Sequence, residues 1–167
     1  DAQRQGIAAI YQEPSVFPDL SVAENIFIGH QDQGMMVDWS TMYREASRIL
    51  AKLDIEIDPR LPAAGLTVAG QQAVEIAKAI SLDVRVLIMD EPTSATSEHE
   101  VAVLFRLIAQ LKQRGRGIIY ITHKLEEFFR ITDTVTVLRD GKTVTTQPTK
   151  DLTRERVVGY MVGREMT

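Results

Sequence analysis

The stretch that decides the fold is Val84-Arg85-Val86-Leu87-Ile88-Met89-Asp90-Glu91-Pro92-Thr93-Ser94. An apolar run ends in two adjacent carboxylates, then a proline and two hydroxyls. Val86 to Met89 reads as a strand buried on both faces, the pattern of a parallel sheet. The chain leaves the sheet at Asp90-Glu91, and open α/β sheets bind their ligands at the carboxyl ends of strands. Two readings stay open from this stretch alone: an acidic turn that starts a helix, or a site.

Working outward, the 167 residues suit one domain with a proper core, and 44% hydrophobic with 25% charged residues is an ordinary globular balance. The net charge of −4 supplies no bulk positive field for nucleic acid. The absence of cysteine excludes disulfides and thiolate-bound zinc. No apolar run is long enough to span a bilayer. The opening residues Asp1 to Gly6 do not resemble a signal peptide and lack an initiator methionine, so the chain is expected to be a piece of a longer, cytoplasmic protein.

On the amino-terminal side, Ile7 to Tyr11 is a strand candidate that stops at Gln12-Glu13-Pro14. Ser15 to Leu20 is a loop. Ser21, with Glu24 three residues on, is a capping box for a short helix that ends at Gly29. Residues 31–37 read as a surface excursion. Met42, Ala46, Ile49, Leu50 and Leu53 recur at helical spacing after Trp39, which reads as a packing residue. Asp58 to Pro62 is a breaker, and a helix through Val74, Ile76, Ala77 and Ile80 leads into the central strand. On the carboxyl side, Ser97 and Glu100 form a second capping box for an amphipathic helix ended by Gly115 and Gly117. Gly117 to Thr122 is another apolar strand, followed by His123 and a helix from Lys124 to Ile131. Strands at 134–138 and 142–146 flank Asp140-Gly141, a hairpin signal, and 151–161 closes as a helix. The expected class is α/β: a mostly parallel sheet, helices, and a carboxyl-terminal antiparallel hairpin. His30 and His99 read as solvated surface residues.

Four polar features sit at strand ends or helix starts: Gln12, the turn from Thr67 to Gln71, Asp90-Glu91 and His123. A carboxylate at a sheet end can hold Mg²⁺ through water, because that ion keeps much of its hydration shell. A neighbouring carboxylate can polarise an attacking water. A glutamine carbonyl can complete the metal shell, and a histidine can hydrogen-bond a terminal phosphate oxygen. A helix start presents N–H groups to an anion. These are the parts of phosphoryl transfer to water.

The connecting sequence carries a resemblance. Gln12-Glu13 resembles the Q-loop of the ATP-binding domains of ABC transporters. Leu66-Thr67-Val68-Ala69-Gly70-Gln71-Gln72 resembles their signature motif, and Leu87-Ile88-Met89-Asp90 is similar to the Walker B strand. Glu91 falls on the catalytic glutamate, Ser94-Ala95-Thr96-Ser97 on the D-loop, and His123 on the switch histidine. Val137 to Gly141 and Met161 to Glu165 resemble the end of the first ATPase half in the sugar importers that carry two such halves in tandem. The resemblance implies a partial P-loop NTPase (ABC ATPase) domain over 1–167. Residues 12–83 would hold the Q-loop, a helical subdomain and the signature helix; 84–167 would hold the Walker B, D-loop and switch-histidine core with the carboxyl-terminal part.

The resemblance also implies roles, with ATP and Mg²⁺ as cofactors. Asp90 would hold Mg²⁺ through water, and Gln12 would sense the metal and the γ-phosphate. Glu91 would act on the attacking water, and His123 would contact the γ-phosphate. Thr67, Val68, Ala69, Gly70 and Gln71 would cap the ATP of a second ABC ATPase domain in a head-to-tail dimer, with Ser94, Ala95 and Thr96 communicating across it. Residues near Phe17 to Leu20 would receive transmembrane permease subunits, and a sugar-binding protein would be an indirect partner. The implied location is peripheral, on the cytoplasmic face of the plasma membrane, and no nucleic-acid partner is implied.

The sequence departs from the family in three places. No G-x-x-x-x-G-K-[ST] loop occurs in it, so the chain alone is expected to bind ATP weakly, to hydrolyse none measurably, and to expose an apolar sheet edge. Ala69 stands where the family has glycine; either its methyl crowds the phosphate, or the turn shifts by one so that Gly70 serves. Thr96 stands where leucine is common. Two other functions compete with sugar import: a non-transport ABC ATPase, and a non-catalytic, regulatory half-domain. Glu75-Ile76-Ala77-Lys78 and the Val162 to Glu165 ending speak against the first. Asp90, Glu91 and His123 speak against the second, and Ala69 speaks for it.

Overall fold

The computed structural model describes residues 2–29, 38–94 and 97–163. The chain forms two compact units, Asp1–Ile121 and Thr122–Thr167. The first is built on three parallel strands in the order β1 (Ile7–Ile10), β2 (Val86–Asp90) and β3 (Gly117–Ile121). Ile10 lies opposite Met89, and Asp90 lies opposite Ile121. Gln12 and Asp90-Glu91 therefore leave the sheet at the same end, because parallel strands all deliver their carboxyl ends to one edge.

Three helices form a layer of their own: α1 (Val22–Phe27), α2 (Trp39–Lys52) and α3 (Val68–Ser81), each packed on the other two. Their apolar stripes meet through Val22, Ala23 and Ile26 of α1, Ala46 and Leu50 of α2, and Ala73, Ile76 and Ala77 of α3, all buried. Ser21 caps α1 with the reciprocal bonds of a capping box, Glu24 reaching back to it. Asp38 caps α2 through the Thr41 N–H at 3.1 Å, and the side-chain and backbone bonds from Thr41 hold its carboxyl below the ordinary aspartate range. α3 also packs on β1, and α4 (Glu98–Gln113), capped by Ser97 and Glu100, packs on β3.

Three expectations need correction. β2 is not buried on both faces: Leu87 and Met89 are buried, but Val86 and Ile88 are only half covered. Alternation of side chains makes each strand face depend on its own covering layer, and the described helices cover the two faces unequally. α3 begins at Val68, so most of the residues read as a turn already lie in a helix. Trp39 is 49% exposed and meets Tyr43 at 6.2 Å between ring centroids, a surface pairing rather than core packing. On β3, Ile119 and Ile121 are 51% and 46% exposed and lie on one face of the strand.

The second unit contains α5 (Leu125–Ile131), the antiparallel pair β4 (Thr134–Arg139) and β5 (Lys142–Pro148), and α6 (Arg154–Val162). Phe128, Val137, Leu152 and Val157 are its core. Asp140 and Gly141 both have positive φ, 51° and 73°, the backbone that a tight two-residue hairpin turn demands. No described helix is long and apolar enough to cross a membrane.

Candidate functional site

Asp90 is the last residue of β2 and is exposed. Glu91 follows at φ 43°, a left-handed conformation that costs a non-glycine residue about 1 kcal/mol or more and persists only where surrounding bonds impose it. Those bonds are present. The Glu91 N–H donates to the Ile121 carbonyl at 2.9 Å, tying the turn to the end of β3. The Glu91 carbonyl accepts from the Ser94 N–H at 3.2 Å, closing the turn. Pro92 and Thr93 are fully buried beneath it, and the buried amide of Gln72 donates from Nε2 to the Pro92 carbonyl. The carboxylates thus stand on a backbone fixed from three sides.

Gln12 is exposed in the loop after β1, at the same sheet end as Asp90 and Glu91. Farther along that loop, the Ser15 N–H donates to Oε1 of Glu75 on α3 at 2.8 Å. Burial pushes the Glu75 carboxyl above the ordinary glutamate range, against the pull of the Ser15 N–H and of Lys78. Its Oε2 is buried with no hydrogen-bond partner among the described residues. A cavity of about 420 Å³ lies here, bordered by Ile10, Tyr11, Ser15, Asn25, Glu75 and Lys78; Asp90 and Glu91 are not in its wall.

Thr67 is the N-cap of α3, its Oγ1 accepting from the Gly70 N–H at 3.2 Å. Val68, Ala69, Gly70 and Gln71 form the first turn of the helix; the N–H groups of Val68 and Ala69 lie outside the helical ladder, while that of Gln71 donates to the Thr67 carbonyl at 2.9 Å. The Thr67 hydroxyl sits at the cap, Ala69 is the second helical residue, and the Gly70 N–H is engaged by the cap. Gln71 Nε2 reaches back to the Leu66 carbonyl at 3.4 Å. The Glu100 carboxyl is held below its ordinary range chiefly by the Ser97 backbone and hydroxyl, with the nearby Thr67 hydroxyl adding a smaller pull. The cap of α3 and the cap of α4 thus lie near one another.

Ser94 is exposed beside the Glu91 turn. Ala95 and Thr96 lie outside the described residues, as do His30 and the segment from Arg164 onward. His123 is exposed in the second unit, between Thr122 and the start of α5. Thr122 Oγ1 accepts from the Lys124 N–H at 3.0 Å and donates to Glu127 Oε2 at 3.1 Å, which fixes the backbone on either side of the histidine.

The donor set at the sheet end is one or two carboxylates and an amide carbonyl. Among the described residues no three His, Asp or Glu side chains gather into a cage. That is the donor set Mg²⁺ uses when water and phosphate supply the rest of its shell, so the residues present fit that ion. The sequence missed Gln72 and Glu75 as parts of this architecture, because both act across the fold on backbone groups; only their place on the face of α3 opposite solvent could have drawn attention to them.

Comparison with known proteins identifies the family. The family described as ABC transporter matches residues 1–94. A putative ribose/galactose/methyl galactoside import ATP-binding protein of Burkholderia lata is 49% identical over 99% of this chain and 33% of its own length. Ribose import ATP-binding protein RbsA 1 of Streptomyces coelicolor is 47% identical over 99% of this chain and 33% of its own. Galactose/methyl galactoside import ATP-binding protein MglA of Haemophilus influenzae is 47% identical over 100% and 33%. The chain spans about a third of the length of these curated relatives. Among solved structures, cbiO1 from Clostridium perfringens, part of the ABC transporter complex cbiONQ, superposes with a TM-score of 0.77 at 24% identity, over 93% of this chain and 62% of that one. The ADP conformation of MJ1267, an ATP-binding cassette of an ABC transporter, gives 0.79 at 21% identity, over 96% and 70%.

Proposed function

The chain belongs to the ABC transporter family, and on that premise we propose that it is the hydrolytic side of an ATPase that energises sugar import. The observation that carries the proposal is the Asp90-Glu91 pair, set at the carboxyl end of a parallel strand on a turn whose left-handed residue is tied to the neighbouring strand. The names of the relatives, import ATP-binding proteins for ribose and galactose, support the substrate class.

Asp90, through water, and Gln12 would hold Mg²⁺, which would supply charge neutralisation for the transferring phosphoryl group. Glu91 accepts a hydrogen bond from the attacking water and orients it on the γ-phosphorus; as the P–O bond to water forms, the bond to the leaving ADP oxygen breaks, and the proton passes to solvent by way of Glu91 or phosphate. His123 is assigned the γ-phosphate contact on the family resemblance. Thr67 and the helix start at Val68, Ala69, Gly70 and Gln71 would cap the phosphate of an ATP held by a second ATPase domain, with the N–H groups of Val68 and Ala69 lying outside the helical ladder. Ser94, Ala95 and Thr96 are assigned communication with that same partner on the family resemblance. Phe17 is exposed, and it and its loop would receive the permease; the location in keeping with this is peripheral, on the cytoplasmic face of the membrane, with a sugar-binding protein acting through the permease.

A non-catalytic half-domain is the second reading, favoured by Ala69, whose methyl stands in the first turn of α3 where the phosphate would approach. Reconstitution separates the two. The protein as the cell makes it, assembled with its permease in vesicles, should release phosphate from ATP faster when a ribose- or galactose-loaded binding protein is added. Phosphate release that is absent, or indifferent to every loaded binding protein, would overturn the import reading.

A further inference from the structure

We propose that Gln72 is a positioning residue for Glu91, acting through the Pro92 carbonyl; the inference rests on the ATPase reading of the Asp90-Glu91 site. Gln72 is 3% exposed on α3, twenty residues before its acceptor, and its Nε2 donates to that carbonyl. Pro92 has no N–H of its own and is fully buried, so its carbonyl is the one main-chain polar group that this residue offers a partner, and Gln72 takes it. The residue immediately before it is Glu91, at φ 43°. A left-handed non-glycine residue relaxes when its restraints are removed. Ile121 restrains the turn from the sheet side, Ser94 closes it, and Gln72 restrains it from the helical layer. The same helix carries Thr67 at its cap, five residues from Gln72. The cap that faces a partner's phosphate and the carboxylate that orients this chain's own water thus share one rigid element. A shift of α3 can reach Glu91 through the Gln72 hydrogen bond to the turn.

The test is a double-mutant cycle on ATP turnover in the protein as the cell makes it, assembled with its permease. Q72M keeps volume and removes the donor. It should lower kcat by about tenfold or more, the range seen when a residue that orients a functional group is lost. KM for ATP should stay within about twofold, since uniform binding is untouched. In an E91Q background, followed by single-turnover release of labelled phosphate, Q72M should cause no further loss, because the residue it positions no longer acts. Q72E gives a second arm that keeps the side-chain shape: ionised, it faces the Pro92 carbonyl without a donor, and protonated, it regains one, so its kcat relative to wild type should rise as pH falls. If Q72M does not fold, the Q72E profile decides. A kcat within about twofold of wild type, an equal fractional loss with and without E91Q, or a Q72E ratio flat with pH would each overturn the proposal. An inactive wild type would instead remove the ATPase reading, and this inference with it.

Discussion

The Ser15 N–H donates to Oε1 of Glu75 at 2.8 Å across sixty residues of chain, joining the loop after β1 to the middle of α3. The bond fixes one carboxylate oxygen, while the other is buried without a partner among the described residues. Desolvation outweighs the hydrogen bond, and the Glu75 carboxyl is raised above its ordinary value of 4.5.

The pH dependence follows from the sign of that shift. The folded state holds the Glu75 proton more tightly than the unfolded chain does. The contribution to stability is complete below the ordinary glutamate value and is lost as pH rises through the raised one. Glu75→Gln keeps the acceptor for Ser15 and cannot ionise. In urea titrations between about pH 4 and about pH 8, the variant should gain on wild type as pH rises. Parallel curves would show that Glu75 ionises in the fold as freely as in the unfolded chain.

Asn25 ties down the loop assigned to the permease. It is 3% exposed; its Oδ1 accepts from the Phe17 N–H at 2.7 Å, and its Nδ2 donates to the carbonyls of Phe17, Leu20 and Ser21. Asn25→Leu leaves those groups unpaired and should cost roughly 2–4 kcal/mol in chemical denaturation. Coupling should suffer more than catalysis: the stimulation of phosphate release by a loaded binding protein should fall while basal release persists. Full stimulation in a folded variant would detach this loop from the permease.

Burial and surface charge on α2 should separate cleanly. Leu50 is 1% exposed, and Leu50→Ala should cost about 2–5 kcal/mol through lost contacts and a residual cavity. Arg48 pairs with Glu45 at 2.9 Å on the outer face, with side-chain exposures of 59% and 37%. Arg48→Ala should cost no more than about 1 kcal/mol, since such pairs are screened by water. Urea midpoints for the two variants, measured side by side, check both figures.

Much of this architecture can be read from the sequence where the controlling chemistry is local. Ser21 with Glu24 and Ser97 with Glu100 are capping boxes in the sequence and in the fold, because the bonds span three residues. Asp140-Gly141 announces its hairpin because few dipeptides tolerate two positive φ angles. The apolar run ending at Asp90 announces a sheet end. The Gln72 bond to Pro92 and the Ser15 bond to Glu75 have no such local signature: each joins segments that only the fold brings together. The half-covered faces of β2 and the open face of β3 depend on which layers pack where, and an apolar run alone does not report that. The start of α3 at Val68 was hidden by Gly70, a poor helix former held in place by the Thr67 cap.

The measurement that tests the central claim most directly compares Glu91→Gln with wild type in the protein as the cell makes it. ATP binding is followed by equilibrium titration, and phosphate release is measured under saturating Mg²⁺ and ATP. Glutamine preserves the length and the left-handed backbone of residue 91 and removes only the charge that orients water. The expected result is ATP affinity within about twofold of wild type and turnover lower by about 10²-fold or more. Turnover equal to wild type would contradict the account, because a carboxylate that can be neutralised without loss does not act on the water.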